Sequence, residues 1–397
     1  MSKIKKRHFL DYGILIPYII LCVLGLLMVY STTSISTSAE SAASASDALK
    51  QLAFWIISLV AIFFIYRLKI DVLKNQRMII LAIAVMVFLL VLVLFMDPVN
   101  GARGWITIPG GLGTIQPAEY FKVVVIWYLA FVLSRRQEMI QKDFKQSINR
   151  PLLMLGALTL LIVIQPDLGN TAIIVLLMMI MVLASGINYW YSIIIGLGGI
   201  LASVGVIQFV LHFGENIIPQ RWQYVYDRFA IFSNPFVDDL NTGHQLANGY
   251  YAMFNGGLFG LGLGNSIQKR GFLSEAQTDY IFAILMEELG LIVALLVLAL
   301  LIFMIARILL VGIRARSPFN SLMCIGIASL FIIQIFINLG GISGIIPLTG
   351  ITFPFISQGG SSLLCLSICV GIALNISADE KRQRFMEDIQ QQAIAVK

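Results

Sequence analysis

Three carboxylates share one short stretch, "LSEAQTDYIFAILMEELG", residues 273–290: Asp279 at its mouth, and Glu287 and Glu288 two turns deeper. A carboxylate at the start of a helix is kept ionised by the helix dipole, and at a water boundary it can take a proton from a hydroxyl. The same position also suits a plain cap or dipole partner. Glu287 and Glu288 are consecutive and so point about 100° apart on a helix, which prevents both from facing one cavity centre. At least one of them is expected to be a buried partner for a basic side chain. Glu119 and Lys122 in "QPAEYFK" stand three apart on one helical face and can pair, as a structural ion pair or beside a ligand. Asp167 in "QPDLGN" lies where one apolar run turns into the next, as a ligand contact or as the cap of the following helix.

These groups matter because of what surrounds them. Hydrophobic residues make up 58% of the 397-residue chain and charged residues only 12%, which excludes an ordinary soluble domain. Repeated runs of about 20 apolar residues are each long enough to cross a bilayer, and a closed barrel would show short alternating segments instead. The expected fold is an all-α integral membrane protein with ten transmembrane helices, near 11–31, 51–67, 78–96, 117–134, 151–165, 168–185, 192–212, 279–306, 319–341 and 360–377. Placing residues 1–10 and the tail 378–397 in the cytoplasm puts most of the 27 Lys and Arg residues on that side. The net charge of +6 therefore tracks one membrane face, and nucleic acid is not an expected partner. The first apolar run is followed by "STSAESAASAS", as in a cleaved signal peptide; its length favours an uncleaved helix, and the Ser/Ala run reads as a flexible external loop.

Three connections depart from simple helix links. "DPVNGARGWITIPGGLGTIQP" is rich in turn residues and is expected to fold as a structured cap. The long extracellular loop 213–278, between the seventh and eighth spans, carries "RWQYVYDRF" and "NGGLFGLGLGNSIQKRG". "SGIIPLTGITFPFISQGGSS" is apolar but broken by Pro347, Pro354 and glycines, a re-entrant segment that must be covered by protein or line a wet cavity. An ionisable group in hydrocarbon costs at least about 2.5–3.5 kcal/mol, so one polar cavity opening outward is the simplest arrangement that keeps these side chains from lipid. Cys22, Cys324, Cys365 and Cys369 all fall inside apolar runs and read as packing residues. The dispersed His8, His212 and His244 do not suit a metal site, although His244 could contact a ligand or bond within its loop. Neither "GLFGLGLGNS" nor "SQGGSS" has the strand context of a phosphate loop or a serine nucleophile.

Taken together, "NGARGWITIPG", "IQPAEYFK", "QPDLGN", the run from "GHQLANGYYAM" to "MEELG", and "NLGGISGIIPLTGITFPFISQGGSSL" resemble the SEDS family of peptidoglycan glycosyltransferases over nearly the whole chain. The likeness is greatest to the cell-division branch of Gram-positive cocci. The resemblance implies an inverting enzyme that polymerises lipid II on the outer face of the cytoplasmic membrane. It also implies a class B penicillin-binding protein and other division-septum membrane proteins as partners. Asp279 falls on the family's catalytic aspartate, with Tyr280 where Phe is usual and Gln165 where Glu often precedes the proline. Asp279 is then the expected base on the acceptor's 4-hydroxyl, and cations must meet the pyrophosphate leaving group. Lys122 and Arg103 are the first choices, followed by Lys269 and Arg270. Glu119, Trp105, Asp167, His244 and Gln277 are placed with the substrate. No cofactor is required, though a divalent cation, Mg or Mn, could share the leaving-group charge. The rival readings are a lipid II flippase or transporter, which would place polar elements along both halves of a pathway, and a non-catalytic scaffold that recruits the penicillin-binding protein.

Overall fold

The computed structural model describes residues 6–33, 38–97, 104–108, 113–217, 226, 228, 229, 231, 232 and 243–395. A 3-10 turn, Lys6–Phe9, leads into α1 Tyr12–Thr33, α2 Ser38–Arg67, α3 Ile70–Leu73, α4 Gln76–Leu92, α5 Pro117–Arg135, α6 Gln137–Lys142, α7 Phe144–Ile164, α8 Leu168–Leu183 and α9 Tyr189–Ile217. Then come α10 His244–Gly256, α11 Ile281–Ile313, α12 Pro318–Ile342 and α13 Gly360–Ala395. Between α4 and α5 a two-stranded antiparallel hairpin, β1 Ile106–Ile108 and β2 Gly113–Ile115, pairs Ile106 with Ile115. The turn-rich connection is therefore ordered where it is described. Arg103 lies outside the described residues.

Nine helices among the described residues are long and apolar enough to cross a membrane. The expected sixth span corresponds to α8, which at 16 residues is shorter. The chain is an all-α, multi-pass membrane protein. Its centre is built by α5, α12 and α13, the last with 89% of its apolar window buried, whereas none of the window of α9 is buried and that helix stands at the periphery. One expectation is corrected. The Ser/Ala run is the start of α2 from Ser38 onward, because Ala is the strongest helix former and no Gly or Pro interrupts it. The tail continues α13 through Ala395 without a break.

The helix ends follow local chemistry. Pro117 and Pro318 open α5 and α12 at a position where a missing N–H costs nothing. The side chains of Asn75, Asp143 and Asp167 cap α4, α7 and α8. At the basic end of the bundle, Asp11 is buried and bound by Arg307 at 3.0 Å, Lys381 at 2.8 Å and Ser377 at 2.8 Å, which ties α1 to α11 and α13. Burial pushes its carboxyl up, but these hydrogen bonds outweigh it and hold it down at about 2.

At the opposite end, α11 is interrupted at Gly290, whose φ of 83° is open to glycine alone at low cost. The loop after α10 enters this break. Leu261 and Gly262 N–H donate to the carbonyls of Glu287 and Glu288, while Leu291 and Ile292 N–H donate to Gly257 and Leu258, all at 2.9–3.3 Å. The loop thus supplies the partners that the helix would have supplied to itself. A Cβ at Gly290 would stand 2.4 Å from the Leu258 carbonyl oxygen, so the splice depends on glycine there.

Candidate active site

Asp279 lies in the turns just ahead of α11, and three successive carbonyls fix its backbone. Gln358 N–H donates to Gln277 at 2.9 Å, the Ser357 hydroxyl to Thr278 at 2.6 Å, and Asn338 Nδ2 to Asp279 at 2.8 Å. Asn338 also donates to Ile351 at 2.7 Å, so α12 and the broken segment 343–359 clamp the turn from both sides. Tyr280 follows with no exposure; a Cβ on Gly249 would stand 2.6 Å from its ring, so α10 packs directly on it. The Asp279 carboxylate is only 9% exposed, more enclosed than a residue at open water level, because the broken segment folds over it. Burial and then the charge of Glu275 push its carboxyl up to about 7, while Arg228 pulls it back. A group titrating there suits proton exchange near neutrality.

Beside it is a polar cavity of about 300 Å³, in the range of small-ligand sites. Trp105, Gln116, Glu119, Asp167, Asn170, Gly350 and Ser361 are among the residues on its wall. Lys122 Nζ binds Glu119 Oε1 at 2.8 Å and is fully buried, so it meets a ligand only through Glu119. Glu119 Oε2 is buried without a hydrogen-bond partner among the described residues. Asp167 does both jobs its sequence context allowed. It caps α8 through Asn170 N–H at 3.0 Å, and its Oδ2 faces the cavity while accepting from Gln116 Nε2 at 2.7 Å and Asn170 Nδ2 at 2.8 Å. Burial raises the Asp167 carboxyl, and Glu119 adds to the rise while Asn170 and Lys122 oppose it. Asp279 does not itself line this cavity: it stands behind Gly350, where a Cβ would come 3.4 Å from Asp279 Oδ2.

The other expected residues fall elsewhere. Lys269 is buried, bonded at 2.8 Å to Glu288 Oε1 and at 2.9 Å to the Ser31 carbonyl of α1. Its ammonium is thereby committed to the fold and not to the cavity. Glu287 accepts from Ser266 Oγ, from Asn255 Nδ2 at 3.2 Å and from two loop amides. Both glutamates serve the loop splice, so the 100° divergence is met by two different sets of donors. Arg270 is exposed on the loop, and Gln277 is half-buried with its carbonyl engaged. His244 bonds Asn248 Nδ2 at 2.9 Å, and Asn248 donates to Phe272, so the histidine organises its own loop.

Sequence reading missed the α2 contribution to the cavity, Asp47, Lys50, Gln51 and Phe54. Their i, i+3, i+4 spacing is a helical stripe, hidden by reading the preceding Ser/Ala run as a loop. Lys50, paired with Asp47 at 3.0 Å, also runs against the charge bias of the expected topology, which was a second usable signal.

A helical membrane bundle with an enclosed carboxylate beside a polar cavity at one end defines a membrane-embedded protein with a candidate ligand site. The chain matches the family of FtsW, RodA and SpoVE cell cycle proteins over residues 13–382 and belongs to it. It is 49% identical to the probable peptidoglycan glycosyltransferase FtsW of Lactococcus lactis, with 97% of this chain and 96% of that protein covered. It is 38% identical to the protein of that name in Bacillus subtilis, over 95% of this chain and 92% of the relative. The fold is shared with a chain of the solved structure described as "Structural coordination of polymerization and crosslinking by a peptidoglycan synthase complex", at TM-score 0.73 and 22% identity over 94% and 98% of the two chains. It is shared as well with Thermus thermophilus RodA, at TM-score 0.65 and 21% identity over 94% and 97%.

Proposed function

We propose that the chain is a peptidoglycan glycosyltransferase of the division type, polymerising lipid II into glycan strands. The reading rests on one observation, the Asp279 carboxylate clamped by three backbone contacts beside a cavity with polar walls. Support comes from the names of its relatives and from family membership over nearly the whole chain. The acceptor's 4-hydroxyl approaches through the polar cavity, and Asp279 takes its proton. The oxygen bonds to C1 of the donor's N-acetylmuramic acid as the C1–O bond to undecaprenyl diphosphate breaks, with the electron pair leaving on the diphosphate and with inversion at C1. Glu119 and Asp167 orient acceptor polar groups, Lys122 holds Glu119 in place through their ion pair, and Trp105 walls the sugar.

Counting α8 gives ten crossings, with both termini cytoplasmic, the cavity outside, and the protein acting at the septum. A class B penicillin-binding protein and other septal membrane proteins are the partners. A divalent cation, Mg or Mn, would fit against Glu119 Oε2 and Asp167 together with substrate oxygens, supplying charge neutralisation there. The clustering of buried carboxylates other than Asp11 and Glu380 at one end favours an enzyme over a transporter, which needs polar groups along the whole path. Purified protein given lipid II tests the assignment. Glycan strands should form with the native chain and fall by about 10²–10⁴-fold with Asp279→Asn, and polymerisation unaffected by that change would overturn it.

A further inference from the structure

The polar cavity accounts for an acceptor but not for a diphosphate. Among the described residues near it, the cations Lys122 and Lys50 are already paired with Glu119 and Asp47, and Asp167 adds a carboxylate with no ion-pair partner, an arrangement that does not favour a diphosphate. A second cavity, of about 190 Å³, is lined in part by the earlier residues of the broken segment. Ile231, Phe232, Leu246, Ile346 and Leu348 give it a largely apolar lining, to which Arg228, Gln245 and Tyr280 add polar groups. Arg228 Nη1 donates to the Leu348 carbonyl at 3.2 Å, which holds the planar guanidinium against the segment.

Gly350 lines the first cavity, and Leu348, two residues before it, lines the second. The φ of Gly350 is 76°, and a Cβ there would stand 3.4 Å from Asp279 Oδ2 and 3.5 Å from Arg228 Nη1. Base and guanidinium thus address one gap, which only a missing side chain keeps open. We propose that Arg228 and its apolar cavity hold the diphosphate and first isoprene units of the donor, and that the Gly350 gap is where donor and acceptor react. The inference rests on the glycosyltransferase reading above. A largely apolar lining that also carries a guanidinium matches an amphiphile whose charge sits at the head of a hydrocarbon chain, and the guanidinium fork fits phosphate oxygens. The layout also suits inversion, because the hydroxyl arrives from the acidic side and the leaving oxygen departs toward the cation. The proton goes to Asp279, and the electron pair of the broken C1–O bond is met by Arg228.

Farnesyl diphosphate, a short soluble mimic of the donor's head, is the probe, used as an inhibitor of lipid II polymerisation by the detergent-purified full chain. Arg228→Gln should weaken its inhibition by about tenfold or more, since a charge-assisted contact is lost, with Arg228→Lys between the two. Farnesyl alcohol should not distinguish the variants. Inorganic pyrophosphate should inhibit more weakly than farnesyl diphosphate, because it gains nothing from the apolar wall. Gly350→Ala should cut turnover at least tenfold while farnesyl diphosphate inhibition stays within about twofold, because the added Cβ fills the gap and leaves the second cavity intact. Equal inhibition of native and Arg228→Gln protein, or full turnover by Gly350→Ala, would overturn the proposal. If Arg228→Gln is unchanged while Asp279→Asn is inactive, only the cation assignment falls; if Asp279→Asn still polymerises, the enzymatic reading itself falls.

Discussion

Taking the pH from about 8 to about 5 should extinguish polymerisation through one carboxyl group. Asp279 is held at about 7, so at a pH about two below that value roughly one molecule in a hundred carries the base, and the rate should drop to roughly 1% of its plateau. An ordinary exposed aspartate, near 3.9, would keep roughly 90% of the rate at the same pH. Removing the Glu275 charge with Glu275→Gln should move the limb to lower pH, and removing the opposing charge with Arg228→Gln should move it higher. Stability should run the opposite way. The folded state holds this proton more tightly than the unfolded chain does, so stability is greatest below about pH 4 and declines as the pH rises to about 7. Burying the charge then costs on the order of 4 kcal/mol, the free energy that separates a carboxyl titrating at about 7 from one at its ordinary value near 3.9. Asp279→Asn should therefore raise the unfolding temperature at about pH 8 while abolishing turnover. Rates from fluorescent lipid II across pH, paired with thermal unfolding in detergent, provide both readings. A limb near pH 4, or an Asn variant less stable than the native chain at pH 8, would refute the argument.

Other consequences follow from the surrounding contacts. The Tyr280 hydroxyl is buried without a partner among the described residues, so Tyr280→Phe should keep full activity and stabilise by about 1–3 kcal/mol, read from thermal unfolding. Lys269→Met removes the ion-pair partner of the buried Glu288; it should destabilise by about 3–5 kcal/mol, and adding Glu288→Gln should recover most of the loss, a double-mutant cycle being the check. Gly290→Ala forces a Cβ onto the Leu258 carbonyl and should cost more than the roughly 1 kcal/mol that the backbone angle alone implies, with faster amide exchange at Leu261 and Gly262.

Most of the helical layout was legible because hydrocarbon imposes one length and one composition on a crossing segment. The acidic and basic residues that lipid cannot tolerate were legible for the same reason, and Glu119, Lys122, Asp167 and Asp279 do gather at one end of the bundle. Their division of labour was not. Lys122 ranked ahead of Lys269 as a candidate cation, yet each is closed off by a carboxylate, one three residues away and the other nineteen. The nearer pairing is a helix-spacing effect that sequence displays; the farther one depends on a loop returning to the helix. Gly350 lay unremarked among many glycines of a broken segment, since its value is set by side chains from two distant stretches, Asp279 and Arg228. The cavity face of α2 was hidden by a misjudged helix start.

The loop spliced into α11 couples the surface of the bundle to the turn that carries Asp279. Residues 257–262 are joined to the helix by four backbone hydrogen bonds about two turns below Tyr280, and Lys269 anchors the same strap to the end of α1. A protein that gripped this strap from outside would pull on the carbonyl ends of the short rod that carries Asp279 at its tip. Tension or release at the surface would then be felt as a change in the base's aim, with no ligand entering the cavity.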